Sequence, residues 1–477
     1  MLQKRRSYGS VTAVKITVPY IYKALFADVT ELCRCGSFDV IEALYNTLNL
    51  NQGAFPMAMN ETMRSAIALS ALTAAMLTLT GCNEDDVTSA VSQTACELAG
   101  VSTILSGVQN ADVSVATNDV IGINGEVSFA SGTTFTLADG ATVVGCTGSS
   151  YVAIDRGAKI EAIGTEANPV VMTSLPAFKG LNTGDEQGQW GGLSIFGYAK
   201  TNKGIENYEA GAHEFGCDDV TVMCDDADNS GTLQYVAIRY SGYEVETDKE
   251  LNGLSLGGVG SGTTIDHVAV IGSLDDGIEV WGGKVEMTNL YLYNNADDSL
   301  DWDHGWTGAA TNVYVEQKEV DGTGSRGFET DNNGGSTTKE VATPISNPTI
   351  TNFTIVTAAA GGQGIVNREG TAGQLSNGMI ITKNDAKANV EVRSANTLTN
   401  GLTYTGDMVL AQAQSLHFAG HVEATADSIF GTTTALEVEN LFSGATVVKS
   451  TVTSLTTLRT ANPGVGTDVD AMPAWTK

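Results

Sequence analysis

Between Leu274 and Asp331 the apolar and polar positions repeat three times. Asp275-Asp276-Gly277-Ile278-Glu279-Val280-Trp281 returns as Asp297-Asp298-Ser299-Leu300-Asp301-Trp302-Asp303, then in degenerate form as Ser325-Arg326-Gly327-Phe328-Glu329-Thr330-Asp331. Aligned, the copies place Ile278, Leu300 and Phe328 in one column and Glu279, Asp301 and Glu329 in the next. A second column runs through Asn289, Asn312, Asn352, Asn377 and Asn400, at near-equal intervals except for one longer gap after Asn312. Upstream, Val127–Phe129, Thr134–Leu137 and Ala141–Val144 alternate with period two between Gly and Asp turns, which reads as short strands. A unit repeated at roughly 20 to 50 residues cannot bury its own apolar face and must stack on its neighbours. The pattern therefore predicts an all-β chain, a stacked β-solenoid with rungs of about 22–25 residues and inserted loops. It spans residues 111–460, with 461–477 as a C-terminal cap or tail. Asparagines stacked on successive rungs, ~4.8 Å apart, can hydrogen-bond along the ladder.

Composition agrees with this reading. Gly is abundant at 54 and Pro scarce at 8, which suits many short strands joined by turns. The net charge of -30 adds something new. Residues 1–81 carry seven Lys/Arg and five Asp/Glu, which leaves 18 basic and 50 acidic groups in the remainder. Such a surface repels nucleic acid and anionic headgroups, so cations or neutral ligands are the expected partners.

Residues 1–58 lack the repeat pattern and read as an upstream over-extension of the gene model. Residues 59–81 hold a short charged start, the apolar run Ser65–Thr78 and then Leu79-Thr80-Gly81-Cys82. A run of that length is a secretory signal rather than a spanning helix. Its ending resembles the bacterial lipobox, which implies that Cys82 is the lipid attachment point and 82–110 a tether. Asn83 after that cysteine implies the outer membrane of a Gram-negative cell, periplasmic-facing or at the cell surface. With Cys82 acylated and an oxidising address, Cys217 and Cys224 are expected to close a local disulfide loop and Cys96 to pair with Cys146. Neither spacing matches a zinc site.

The passage Arg156-Gly157-Ala158-Lys159-Ile160, Gly164-Thr165 and Asn168-Pro169, with Trp190-Gly191-Gly192-Leu193 after it, resembles the opening coils of bacterial right-handed parallel β-helix surface lipoproteins, pectin-lyase-like solenoids. Leu251-Asn252-Gly253-Leu254 and the two Asp-Asp elements resemble the same family, which implies the fold and little about activity.

The acid rungs are the main candidate for chemistry. Asp275, Glu279, Asp297, Asp301, Asp303 and Glu329 form a candidate set of calcium ligands, since three like charges one rung apart repel unless a cation sits among them. Turn capping by Asp275/Asp276 and Asp297/Asp298 is the structural alternative. A catalytic alternative assigns Asp276 and Asp298 to proton transfer, with Arg326 as base or charge neutraliser in a lyase version. Ser325-Arg326-Gly327 stands where polygalacturonase-like hydrolases carry Gly-His-Gly, which weighs against that reading. Asp226-Ala227-Asp228-Asn229-Ser230-Gly231 begins like an EF-hand loop, with Asp226 and Asp228 as candidate ligands, but Ala237 stands at the twelfth position where Glu is required. The tryptophans are expected to be core, and the five histidines do not cluster along the chain. The expected role is a lipid-anchored, calcium-stabilised surface module that binds an extracellular polysaccharide or an envelope protein. The alternative is a polysaccharide hydrolase or lyase.

Overall fold

Each coil contributes three short strands, and equivalent strands stack in parallel register. The computed structural model describes residues 95–476, except 185, 247–248, 319–324, 335, 384–387, 412–415, 419–440, 443, 453 and 470. The segment read as a signal, Cys82 and the start of the segment read as a tether lie outside the described residues. Sheet A runs from Val113–Val115 through Thr134–Leu137 and Lys159–Ile163. It continues in the first halves of Gly231–Arg239, Thr264–Ile271, Glu286–Tyr293, Ala309–Glu316, Thr349–Val356, Gln374–Ile381 and Thr403–Ala411. Sheet B takes the second halves of those strands, preceded by Thr142–Gly145 and Val170–Ser174. Sheet C stacks Tyr151–Ile154, Gly192–Phe196, Leu254–Gly257, Ile278–Trp281, Leu300–Asp303, Arg326–Thr330, Gln363–Asn367 and Val390–Val392. The right-handed parallel β-helix expected from the repeats together with the family resemblance is the architecture observed. Among the described residues no helix is long and apolar enough to cross a membrane.

Apolar residues from all three sheets meet in one core along the axis, which includes Ile265, Leu290, Leu300 and Phe328. Trp190, Trp302 and Trp306 are fully buried, as expected of core tryptophans. The corner between sheets A and B turns sharply at one residue per coil. Tyr235, His267, Asn289, Asn312, Asn352 and Asn377 all occupy it with φ between 49 and 59°. Asparagine tolerates the left-handed region better than most residues, and here it also links the coils. The Asn312 Nδ2 donates to Asn289 Oδ1 (3.0 Å), Asn352 to Asn312 (3.2 Å) and Asn377 to Asn352 (2.6 Å). Asn400 does not belong to the ladder. It ends the short helix Ala395–Asn400 and donates to the Glu340 and Gly370 carbonyls, so its regular spacing is coincidental.

The solenoid begins earlier than expected. Thr103–Gln109, read as tether, is a strand paired with 121–129. Cys96–Cys146 ties the turn before it to sheet B, and Cys217–Cys224 closes a loop in an insert. The far end of the chain folds back along the outer face of sheet B. Leu458 and Val465 pack on Met379, Ile381 and Val409, Thr467 bonds to Thr354 (3.0 Å), and Trp475 packs on Tyr235, His267 and Tyr291. The tail is a strap that crosses several coils.

Candidate functional site

Sheet C brings the three acid rungs together as the repeat predicted. Ile278, Leu300 and Phe328 face the core, so Glu279, Asp301 and Glu329 face away from it in one register column. Two residues before the core-facing Leu254, Ile278, Leu300 and Phe328 stand Asn252, Asp276, Asp298 and Arg326. The Asp276 N–H donates to Asn252 Oδ1 (3.1 Å), the Asp298 N–H to Asp276 Oδ1 (2.9 Å) and the Arg326 N–H to Asp298 Oδ1 (2.6 Å). Asp276 and Asp298 therefore do cap backbone, but each caps the next coil rather than its own turn.

Oxygens of the acids converge in three overlapping groups: Asp275, Asp276 and Asp297; Asp276, Glu279 and Asp301; Asp298, Asp301 and Glu329. Within each group one oxygen per residue lies within 4.8 Å of the others. Burial, and after it the neighbouring carboxylates, holds Asp276, Glu279 and Asp301 well above the usual carboxylate range. The same two causes push Asp275 up to about 8. Asp301 Oδ1 is buried with no hydrogen-bond partner among the described residues. Positive charge enters from one side. Arg326 reaches Asp298 (3.2 Å) and Glu329 (2.5 Å), and Arg368 reaches Glu329 (2.6 Å) and Asp331 (2.8 Å). Burial pulls the Arg326 guanidinium down, but Asp298 and Glu329 outweigh it and hold the group above its ordinary value.

Asp301 and Glu329 are buried and Glu279 is half-buried although they face away from the core, and an insert covers the neighbouring part of sheet C. The insert between Phe196 and Gly231 lays Tyr208 and Phe215 on Phe196 and Trp281. Two histidine clasps hold it. His213, on the insert, meets Asp155 (2.7 Å) and Glu126 (3.4 Å) on the body. His304, on the body, meets Glu206 (3.0 Å) on the insert and Asp303 (2.9 Å), with Lys203 beside it. Burial lowers both imidazoles, but the facing carboxylates outweigh it and raise each to about 9. Nothing local in the sequence announces these pairs, since Glu126 and His213 belong to different coils.

The clasps make a signed prediction. A histidine raised from its ordinary value contributes stability that is complete below the unfolded value and lost as pH rises through about 9. Tryptophan fluorescence, which reports Trp281 beneath the insert, is expected to change as pH rises through 9, and earlier in His213→Gln. A trace flat across that range in both proteins would show that the clasps do not hold the insert.

The remaining candidate ligands go elsewhere. Asp303 is paired with His304. Asp226 takes the Lys284 ammonium at 3.1 Å, and the buried Asp228 takes the Ser230 hydroxyl at 3.0 Å. The Asp226 loop is thus a closed turn whose first acid is already neutralised by lysine.

No curated protein and no solved structure matches the chain. All but the first few residues of the stacked coils, with the sheet C rungs and the inserts over them, lie within residues 107–477, which match the pectate-lyase-like β-helix domain, and the chain belongs to that family.

Proposed function

We propose that this chain is a calcium-braced, non-catalytic binding module of the bacterial envelope, lipid-anchored through Cys82, whose ligand is a glycan. The observation that carries the cation is the three overlapping oxygen groups within 4.8 Å. Two ligands of a common calcium ion, each about 2.4 Å from it, lie at most about 4.8 Å apart. The donor set is all oxygen, and the partnerless Asp301 Oδ1 comes from a residue that belongs to two of the groups. Calcium there would neutralise carboxylates that otherwise repel across coils. Against catalysis, Asp276 and Asp298 are committed to backbone N–H groups, and Arg326 is held charged between two acids, where it cannot serve as a base.

Thermal melting in millimolar calcium against excess EDTA tests the brace. Calcium at about 100 times its dissociation constant contributes about 2.7 kcal/mol, a rise of several degrees. Asp301→Asn is expected to lose most of the rise. The raised carboxyls lose folded-state stability as pH climbs above their unfolded values, so the calcium effect is expected to be larger at pH 8 than at pH 5. An identical melt with calcium and EDTA would leave capping as the sole role of these acids.

The raised carboxyl of Asp298 beside Arg326 favours one alternative, a polysaccharide hydrolase or lyase. Product release from polyuronate that Asp298→Asn abolishes would replace the module reading.

A further inference from the structure

Of the three faces of the solenoid, sheet B carries the C-terminal strap and sheet C carries the inserts. The outer face of sheet A is different. Its strands alternate strictly, with Ile350, Leu375 and Tyr404 buried inward and Thr349, Thr351, Gln374, Ser376, Thr403 and Thr405 outward, none of them buried. Those six side chains cover three successive coils without a charge, on a protein of net charge -30. The uncharged stretch ends at Glu286 on one side and at Asp407, at the corner of the last of these coils, on the other.

We propose that this face docks an uncharged, extended polysaccharide laid along the solenoid axis. The inference rests on the glycan-binding reading above and places that ligand on sheet A. A hydroxyl column runs in register through Thr288, Thr311, Thr351, Ser376 and Thr405. Thr351 and Ser376 share a hydrogen bond of 3.3 Å. The asparagine ladder at 289, 312, 352 and 377 runs beside it with its amides bonded to one another and, at Asn377, to the Gly464 carbonyl of the strap, so what the face offers on each coil at the ~4.8 Å strand spacing is a hydroxyl. A sugar unit in an extended chain is about as long as one coil is high, and its hydroxyls both donate and accept. Interface centres are depleted of charge relative to the surrounding surface. A polyanion would be repelled by the whole protein, and a polycation would settle on the acids instead. Contacts repeated on successive coils add along one polymer, so weak single contacts suffice for retention.

The test is retention of the full chain on amorphous cellulose and on insoluble neutral xylan, in EDTA, with polygalacturonate in calcium as the charged comparison. The expected result is retention on at least one neutral polysaccharide. Thr351→Glu/Gln374→Glu should reduce it at least tenfold, a loss of about 1.4 kcal/mol. Both positions face solvent, so an unchanged melting temperature in the variant confirms that it folds. Retention that survives the two glutamates, or no retention on either neutral polymer, overturns the sheet A surface. Calcium-dependent retention on polygalacturonate that Asp301→Asn abolishes also overturns it, while leaving the glycan-binding reading intact. Failure on all three polymers overturns both.

Discussion

Arg326→Met is expected to destabilise the protein by about 3–5 kcal/mol at neutral pH, the cost of removing one partner from a buried ion pair. The guanidinium is the cation nearest Asp298, whose side chain is almost fully buried and whose other oxygen already holds the Arg326 backbone N–H. Glu329 keeps Arg368, so the exposed liability is Asp298. Burial and then Glu329 already hold that carboxyl above its ordinary range, and losing arginine raises it further. A carboxyl whose folded value lies above its unfolded one destabilises as pH rises through that window, so the cost of the substitution is expected to shrink from neutral pH to mildly acidic pH. Millimolar calcium should restore part of the loss at neutral pH if the brace is correct. Urea unfolding at both pH values, with and without calcium, measures this. A cost independent of pH and calcium would mean that Arg326 stabilises through its packing rather than its charge.

Trp302→Ala is expected to cost a similar amount, about 3–5 kcal/mol, with no dependence on pH. Trp302 shares its inward column with Val280 and Thr330, two smaller residues between which the indole fits. It packs edge-on against Trp306 at 5.8 Å and tilted against Phe328 at 6.2 Å. Its indole N–H donates to Thr371 Oγ1 at 3.1 Å. Trp302→Phe keeps most of the volume and loses that bond, so about 1–2 kcal/mol is expected. Equal midpoints for Trp302→Ala and the parent in urea would show that the coil relaxes to fill the void.

The coil register was legible because stacking forces it. Ile278, Leu300 and Phe328 had to share a column if each coil was to bury its apolar face on the next, and the acids beside them followed by alternation. The asparagine corner was legible as far as Asn377 for the same reason, and Asn400 misled because a helix inserted before the next strand happens to preserve the interval. The start of the solenoid was missed because the burial of Thr103–Gln109 does not alternate strictly, so an end coil looks like a polar linker. The histidine clasps and the cover over sheet C were illegible. They join an insert to distant coils through single side chains, and no local period records such a contact. The two expected disulfides did form. One closes a short local loop within an insert and the other pins the first turn, so neither depended on how the inserts dock.

The C-terminal strap changes the way this solenoid should come apart. In a plain stack each repeat touches only its neighbours, and stability is close to a sum of unit and nearest-neighbour terms, so coils can fray from either end. Here the chain that packs on Met379 and Val409 continues to Trp475 on Tyr235 and Tyr291. Opening any coil beneath it also loosens the strap over coils that are not adjacent. The penalty for partial unfolding is then shared across the length of the strap, and a one-dimensional array acquires the all-or-none cooperativity of a globular domain.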